Sequence, residues 1–276
     1  MKRSLALTSI LLLALPLLAA CNGGEEEPSP SPAATATPSP AATARPVPTA
    51  GDSSATLTWF GHSMFLLTSP GGVTVLMDPN SGIGYDEPDL PEVTVVTITH
   101  DDSDHNKAEV AGVGARVLKG IEGGEWVEID EQIGDVHIKT ILTFHDDSAG
   151  AERGKNSMFL FETADLRILH AGDLGHTLTD EQIASIGDID ILLIPVGGHF
   201  TVGPEEATQV VEQLNPSYAI PMHYRTGVVS FSGSENLEGL DPFLLRKSIR
   251  RADGNTLALS RDRLFEKTNV IVMDYR

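Results

Sequence analysis

Cysteine is all but missing from this 276-residue chain, with Cys21 the only one. No disulfide can form within the chain, no cysteine nucleophile serves a downstream domain, and metal chemistry there must rely on nitrogen and oxygen donors. Basic residues are scarce too: 19 Lys and Arg stand against 39 Asp and Glu, a formal net charge of −20. So acidic a chain is soluble and is repelled by a phosphate backbone, which argues against nucleic acid as a partner. Long apolar runs are also lacking. Residues 5–18 come nearest, but Thr8, Ser9 and Pro16 interrupt them and they are too short for a comfortable transmembrane helix.

The flanks of that run give it a meaning. Met1-Lys2-Arg3 is a short positive start, and small residues precede Cys21, so residues 1–20 read as a secretory signal. The tetrad Leu18-Ala19-Ala20-Cys21 resembles the bacterial lipobox. That resemblance implies cleavage before Cys21, diacylation of its thiol, and a product exported and lipid-anchored to the outer face of the bacterial cell membrane. An ordinary signal peptide with a chance cysteine is the alternative. Residues 21–54 carry a run of Glu and then repeat Pro, Ser, Ala and Thr. They cannot bury enough apolar surface to offset ordering entropy, and read as a disordered, semi-extended linker. Residues 55–276 remain, enough for one well-cored domain.

Within that domain the β-branched run 93–98 reads as a buried strand, and residues 104–111 as a helix. Between them lies Thr99-His100-Asp101-Asp102-Ser103-Asp104-His105. Further strands are expected at 56–68, 73–78, 116–118, 126–129, 136–144, 158–161, 166–169, 189–196, 218–222, 256–259 and 270–273. Thr179-Asp180-Glu181-Gln182 has capping-box spacing, and Gly203-Pro204-Glu205-Glu206 opens a helix with Ala207, Val210, Val211 and Leu214 on one face. A last helix is expected over 241–250. Strands in runs first and alternating with helices later point to α/β sheets covered by helices.

His100, His145, Asp173 and His223 each follow the end of a separate predicted strand. In layered α/β folds such residues meet at one edge, where loops build sites on a rigid scaffold. Joined by Asp102, Asp104 and His105, they make seven candidate ligands for divalent metals that activate water. His62 is read either as lining the pocket or as a structural strand residue. Asp104 and His199 are the candidates for direct catalytic roles, His199 as a proton donor to a leaving group. His137 and His170 read as structural.

The residues from Thr99 to His105 resemble a His-x-His-x-Asp-His motif with Asp102 at its second histidine, and with His145, Gly172-Asp173 and Ile220-Pro221-Met222-His223 they resemble the metallo-β-lactamase superfamily across almost all of 55–225. Trp59-Phe60-Gly61-His62-Ser63, Met77-Asp78-Pro79 and Pro195-Val196-Gly197-Gly198 resemble its small branch that includes ascorbate-phosphate lactonase-like and bacterial hydrolases of unassigned substrate. The resemblance implies a four-layer αββα sandwich with two divalent metal ions at its open edge. One would be held by His100, Asp102 and His145, the other by Asp104, His105 and His223, with Asp173 bridging. Zinc is the first expectation. Asp102 stands where the family motif has histidine, and this harder ligand admits manganese or iron; related diiron members also carry a carboxylate here.

The implied activity is hydrolysis of an ester, lactone or phosphoester in a small-molecule substrate by a metal-activated hydroxide. The competing reading is a non-catalytic, lipid-anchored binding protein that kept the fold while Asp102 spoiled the site. Redox diiron chemistry needs an electron partner for which no flavodoxin-like domain fits in the remaining length. The pocket walls fall to loops such as 80–89 and 228–240, whose shapes the sequence does not fix.

Overall fold

The computed structural model describes residues 54–275; the expected signal segment, Cys21 and the linker up to residue 53 lie outside the described residues. Two sheets enclose a common core. The first runs β1 (Ala55–Trp59), β2 (Phe65–Thr68), β3 (Thr74–Met77), β4 (Val95–Ile98) and β5 (Arg116–Lys119) as neighbours, with β15 (Thr256–Leu259) beside β1. A ribbon of β6 (Ile121–Glu122) and β7 (Glu125–Trp126) leads into the second sheet. That sheet comprises β8 (Asp130–Ile133), β9 (Val136–Phe144), β10 (Lys155–Thr163), β11 (Leu166–His170), β12 (Ile191–Pro195), β13 (Tyr218–Met222), β16 (Asn269–Val272) and β14 (Ile249–Arg251), in that spatial order.

Side-chain alternation decides what each face of the first sheet does. Phe65, Leu67, Val75, Met77 and Val95 enter the core shared with the second sheet, where Ile138, Phe159, Phe161, Ile168 and Leu192 meet them. Leu66, Leu76, Val96 and Ile98 point the other way into a smaller cluster capped by Ala108, Val110 and Ala111. Strands buried on both faces read as continuous apolar runs, which is why these segments lack a polar alternation. Helices α1 (Asp180–Ile186) and α2 (Pro204–Leu214) contact β9 and β12 of the second sheet, and the short α3 (Asp241–Leu244) packs on α2. The fold is thus a mixed α/β sandwich with few helices. In α1 the Thr179 side chain accepts from the Gln182 amide and the Gln182 side chain accepts from the Thr179 amide, so the capping box forms as expected.

Four expectations fail. The strand over 126–129 does not form: β7 ends at Trp126 and β8 begins at Asp130, while the Val127 amide goes to Gly120 O and the Ile129 amide to Thr140 Oγ1. The other three fail for tertiary reasons. The stretch 56–68 is not one strand: Gly61 and His62 take φ of 99° and 51°, and a tight turn closed by Phe60 N to Met64 O (3.0 Å) folds β2 back on β1. The helix over 104–111 shrinks to a 3-10 turn at Ala108–Ala111. The Lys107 amide, which would make the first intrahelical bond back to Ser103, is instead bonded to Pro79 O, so the ladder does not start. The helix over 241–250 stops at Leu244, because Arg246 turns to φ 61° and Ile249 pairs with Val270 as a parallel strand.

Strand direction sets where the loops meet. β3 and β4 run parallel, and β1 runs with them because both it and β3 are antiparallel to β2. In the second sheet β9 and β11 flank β10 antiparallel, and β11, β12 and β13 are mutually parallel. Each sheet therefore sends one set of strand ends to a single edge. Under the edge of the second sheet sits Asn156, whose Nδ2 donates to Thr143 Oγ1 and Ala171 O while its Oδ1 accepts from Asp173 N.

Gly172 makes that knot possible: at φ 55°, a Cβ there would lie 2.6 Å from Asn156 Oδ1 and 2.7 Å from Thr99 Cβ. Since Asn156 is fully committed, Gly172→Ala is expected to destabilise the fold by about 1–3 kcal/mol, read from urea unfolding. An unchanged midpoint would show that the knot yields.

Candidate metal centre

Three strand ends of the first sheet carry His62 (after β1), Asp78 (after β3) and His100 (after β4); three of the second carry His145 (after β9), Asp173 (after β11) and His223 (after β13). The turn after β4 adds Asp102, Asp104 and His105. Apart from Asp102 and Asp104, these side chains are buried.

Asp173 is at the centre. Its Oδ2 lies 3.1 Å from His223 Nε2, 3.3 Å from His145 Nε2 and 3.8 Å from His100 Nε2, and its Oδ1 lies 3.2 Å from His105 Nε2. Asp102, with 65% of its side chain exposed, still turns Oδ2 inward to 3.5 Å from His100 Nε2 and 3.6 Å from His145 Nε2. Asp104 Oδ2 is 3.8 Å from His105 Nε2 and 3.0 Å from His62 Nε2. All seven residues expected as ligands are thus brought together. The donors of His100, Asp102 and His145 lie within 4.8 Å of one another, as do those of His62, Asp104, His105 and His223.

These spacings suit donors that share a cation better than donors bonded to each other. Ligands ~2.1 Å from one ion at tetrahedral angles stand ~3.4 Å apart. Among the described residues, His100 Nε2, His105 Nε2, Asp173 Oδ1 and both ring nitrogens of His223 are buried without a hydrogen-bond partner. Each such group costs on the order of 1–3 kcal/mol. A set of imidazoles and carboxylates fits a zinc, manganese or iron ion, so the residues present match the group that the fold implies.

Asp78 decides which nitrogen each ring offers. It is fully buried and accepts from His105 Nδ1 (2.8 Å), Thr99 Oγ1 (2.6 Å) and Thr99 N (2.8 Å). With its hydroxyl proton given to Asp78, Thr99 Oγ1 accepts from His100 Nδ1 at 3.0 Å. Both rings are thereby held with Nε2 as the bare donor facing Asp173. His62 performs the matching task on Asp104, donating Nε2–H to Oδ2. The sequence assigns this role to neither Asp78 nor His62; Asp78 carries as signals its place after a strand and the Met77-Asp78-Pro79 motif, neither of which names its partners, and the Gly61-His62 pair reads as a turn once a positive φ is allowed for.

The charges are tightly coupled. Burial drives His62 down to about 4, reinforced by neighbouring His223. Burial also opposes a charge on His145, yet Asp102 and Asp173 lift it to about 10, and His105 is likewise raised against burial by Asp173 and Asp78. The neighbouring imidazoles of His100 and His145 hold Asp102 well below the usual carboxylate range. Asp104 and Asp173 are held low against burial by the imidazoles around them, His62 first for Asp104 and His105 first for Asp173.

A cleft of about 440 Å³ opens over the cluster, lined in part by Asp102, Asp104, His145, Asp173 and His223. His199 is not in it: its ring lies 4.3 Å from that of Phe200 and lines an adjoining cavity of about 690 Å³. Of the histidines read as structural, His170 bonds Ser63 O and His137 bonds Asp130 and Glu162.

A family profile described as "Beta-lactamase superfamily domain" matches residues 56–223. A UPF0173 protein of Pyrococcus abyssi is 30% identical over 213 residues, covering 70% of this chain and 92% of that one. A UPF0173 metal-dependent hydrolase of Pyrobaculum islandicum is 33% identical over 194 residues, covering 62% and 84%. Among solved structures, one from Thermotoga maritima, described as a candidate Zn-dependent hydrolase of the metallo-beta-lactamase superfamily, is 34% identical with a TM-score of 0.60, over 80% of this chain and 98% of that one.

Two outcomes follow from the hydrogen bonds and charges. Asp78→Asn is expected to weaken zinc binding about 10- to 100-fold, measured by competition with a chromophoric chelator; unchanged affinity would mean the rings are oriented by other contacts. In the metal-free chain, His105 and His145 keep protons in the folded state that the unfolded chain releases near pH ~6.5. Stability should therefore fall as pH rises from there toward about 10, where His145 deprotonates in the fold. His62 acts oppositely, its contribution fading as pH falls toward about 4. Urea midpoints across this range test the slope, which zinc should flatten by displacing the protons.

Proposed function

The chain belongs to the β-lactamase superfamily, and from that premise we propose that it is a metal-dependent hydrolase of a small ester, lactone or phosphoester. The observation that carries the reading is Asp173, a buried carboxylate with four imidazole Nε2 atoms within 3.8 Å and no hydrogen bond to Oδ1. We assign His100, Asp102 and His145 to one ion, Asp104, His105 and His223 to a second, and Asp173 to both. Bound there, divalent ions supply a water of lowered pKa and polarise the bond under attack.

The protein's own part is positioning. Asp78 and Thr99 fix the two rings of the turn after β4, and His62 fixes the Asp104 carboxylate, so the donors need no rearrangement when charge develops. Phe200 and Phe231 line the cleft and keep water from part of its wall. Its volume, about 440 Å³, suits a small substrate. Zinc suits the imidazoles; Asp102 leaves room for manganese or iron. A binding protein with a degraded site draws little support, because Asp102 keeps an oxygen facing both His100 and His145. The lactonase-like motifs favour a lactone within the substrate class, and the lipobox-like tetrad before Cys21 supports an exported, lipid-anchored product.

Elemental analysis of the full chain expressed with mixed metals available, beside Asp102→His, tests the ligand assignment. Two metals per chain are expected in both. One metal, rising to two in the histidine variant, would leave Asp102 out of the set. On a panel of esters, lactones and phosphodiesters, His105→Ala should abolish turnover, and an active metal-free protein would sink the hydrolase reading.

A further inference from the structure

The cleft over the cluster and the larger adjoining cavity share four lining residues: His145, Glu152, Arg153 and Phe200. Arg153 is the only lysine or arginine lining either one. Glu152 borders the cleft beside it, and the remaining carboxylates that line the cleft, Asp102, Asp104 and Asp173, belong to the cluster. Among the described residues no carboxylate lies within 4.0 Å of the Arg153 guanidinium, so it neutralises none of them directly.

The position of Arg153 is built by the fold. Asp146 Oδ1 accepts from Ser148 N, Ser148 Oγ and Gly150 N, and its Oδ2 accepts from Glu152 N (3.0 Å) and Arg153 N (2.6 Å). One buried carboxylate thus fixes the loop from 146 to the Arg153 backbone. The guanidinium then donates Nη2–H to His199 O at 2.9 Å and lies 5.3 Å from the centre of the Phe200 ring. Among the described residues that is the only hydrogen bond its five N–H donors make. Phe231 continues the apolar wall, 5.9 Å from Phe200 and 5.4 Å from the His62 ring.

We infer that Arg153 selects substrates bearing an anionic group, a carboxylate or phosphate, set apart from the scissile bond and reached past Phe200. A guanidinium fork matches the paired oxygens of either anion. The inference rests on the hydrolase reading for which bond is cut, but the selection itself is a matter of binding.

Calorimetry on the purified full chain tests it without turnover. The probes are succinate, glutarate and adipate, each against the monocarboxylate of equal carbon number. One carboxylate of either probe can engage the metal centre, so the difference reports the second. At least one diacid should bind about tenfold more tightly than its monoacid. Arg153→Met should erase that preference while leaving the monoacid unchanged, and Arg153→Lys should restore part of it. A merely structural Arg153, clamping the loop to His199 O, would shift both probes together. Replacing succinate by 3-phosphonopropionate tells whether phosphate or carboxylate is preferred. Equal affinities for diacid and monoacid, including no binding of either, or a preference that survives in Arg153→Met, would overturn the inference. If the preference holds but the ester panel shows no turnover, only the hydrolase reading fails.

Discussion

The buried carboxylate of Asp78 is the contact on which the first-sheet half of the centre depends. An ionised group with no exposed surface is tolerable only when its lone pairs are filled, and Asp78 fills them with a backbone amide, a hydroxyl and an imidazole. All three partners belong to the segment 99–105. The turn after β4 is therefore tied to the end of β3, and the rings of His100 and His105 can present only their Nε2 atoms to the opposing sheet. Asp78 itself takes φ 41°, and His62 and His223 take 51°. Side chains larger than glycine rarely occupy that region, and they cluster here because surrounding bonds over-determine them.

The second sheet offers a mirror of this logic. Asn156, wholly buried, holds the Asp173 amide and the Ala171 carbonyl, so the central carboxylate is delivered by backbone that cannot shift freely. The two halves bring Asp102, Asp104 and Asp173 close enough to repel one another. In the metal-free chain, protons on His105 and His145 offset that repulsion. Cations would offset it better, because they also engage the buried nitrogens and oxygens that lack partners. Folding and metal binding are in this sense one equilibrium.

Much of this was legible in the sequence, and the failures have a common cause. Strand ends announced the site because a strand pattern that stops at His100, His145 or His223 leaves a polar residue at a fixed edge; 218–222 came out residue for residue, and the capping box at Thr179 formed as spaced. What failed depended on partners remote in the chain. Apolar residues on both sides of Gly61-His62 hid a turn, and the helix over 104–111 lost its first laddering amide, that of Lys107, to Pro79 O. The roles of His62 and Asp78 were hidden for the same reason: a hydrogen bond across 42 or 27 residues leaves no local pattern.

The same distinction separates chemistry from selectivity. Donor atoms sit on strand ends and on a turn pinned by Asp78, so their geometry is a property of the sandwich. The walls of the cleft are not. They come from segments held by only a few polar ties: Tyr85 to Thr226 at 2.9 Å, Ser230 N to Ile83 O at 2.8 Å, and the Asp146 carboxylate under the 146–153 loop. A loop carrying a cation, as this one carries Arg153, can thus alter which substrates dwell at the cluster without disturbing what the cluster does to them. Since Asp146 bonds the backbone rather than the arginine side chain, the loop can keep its shape while residue 153 changes.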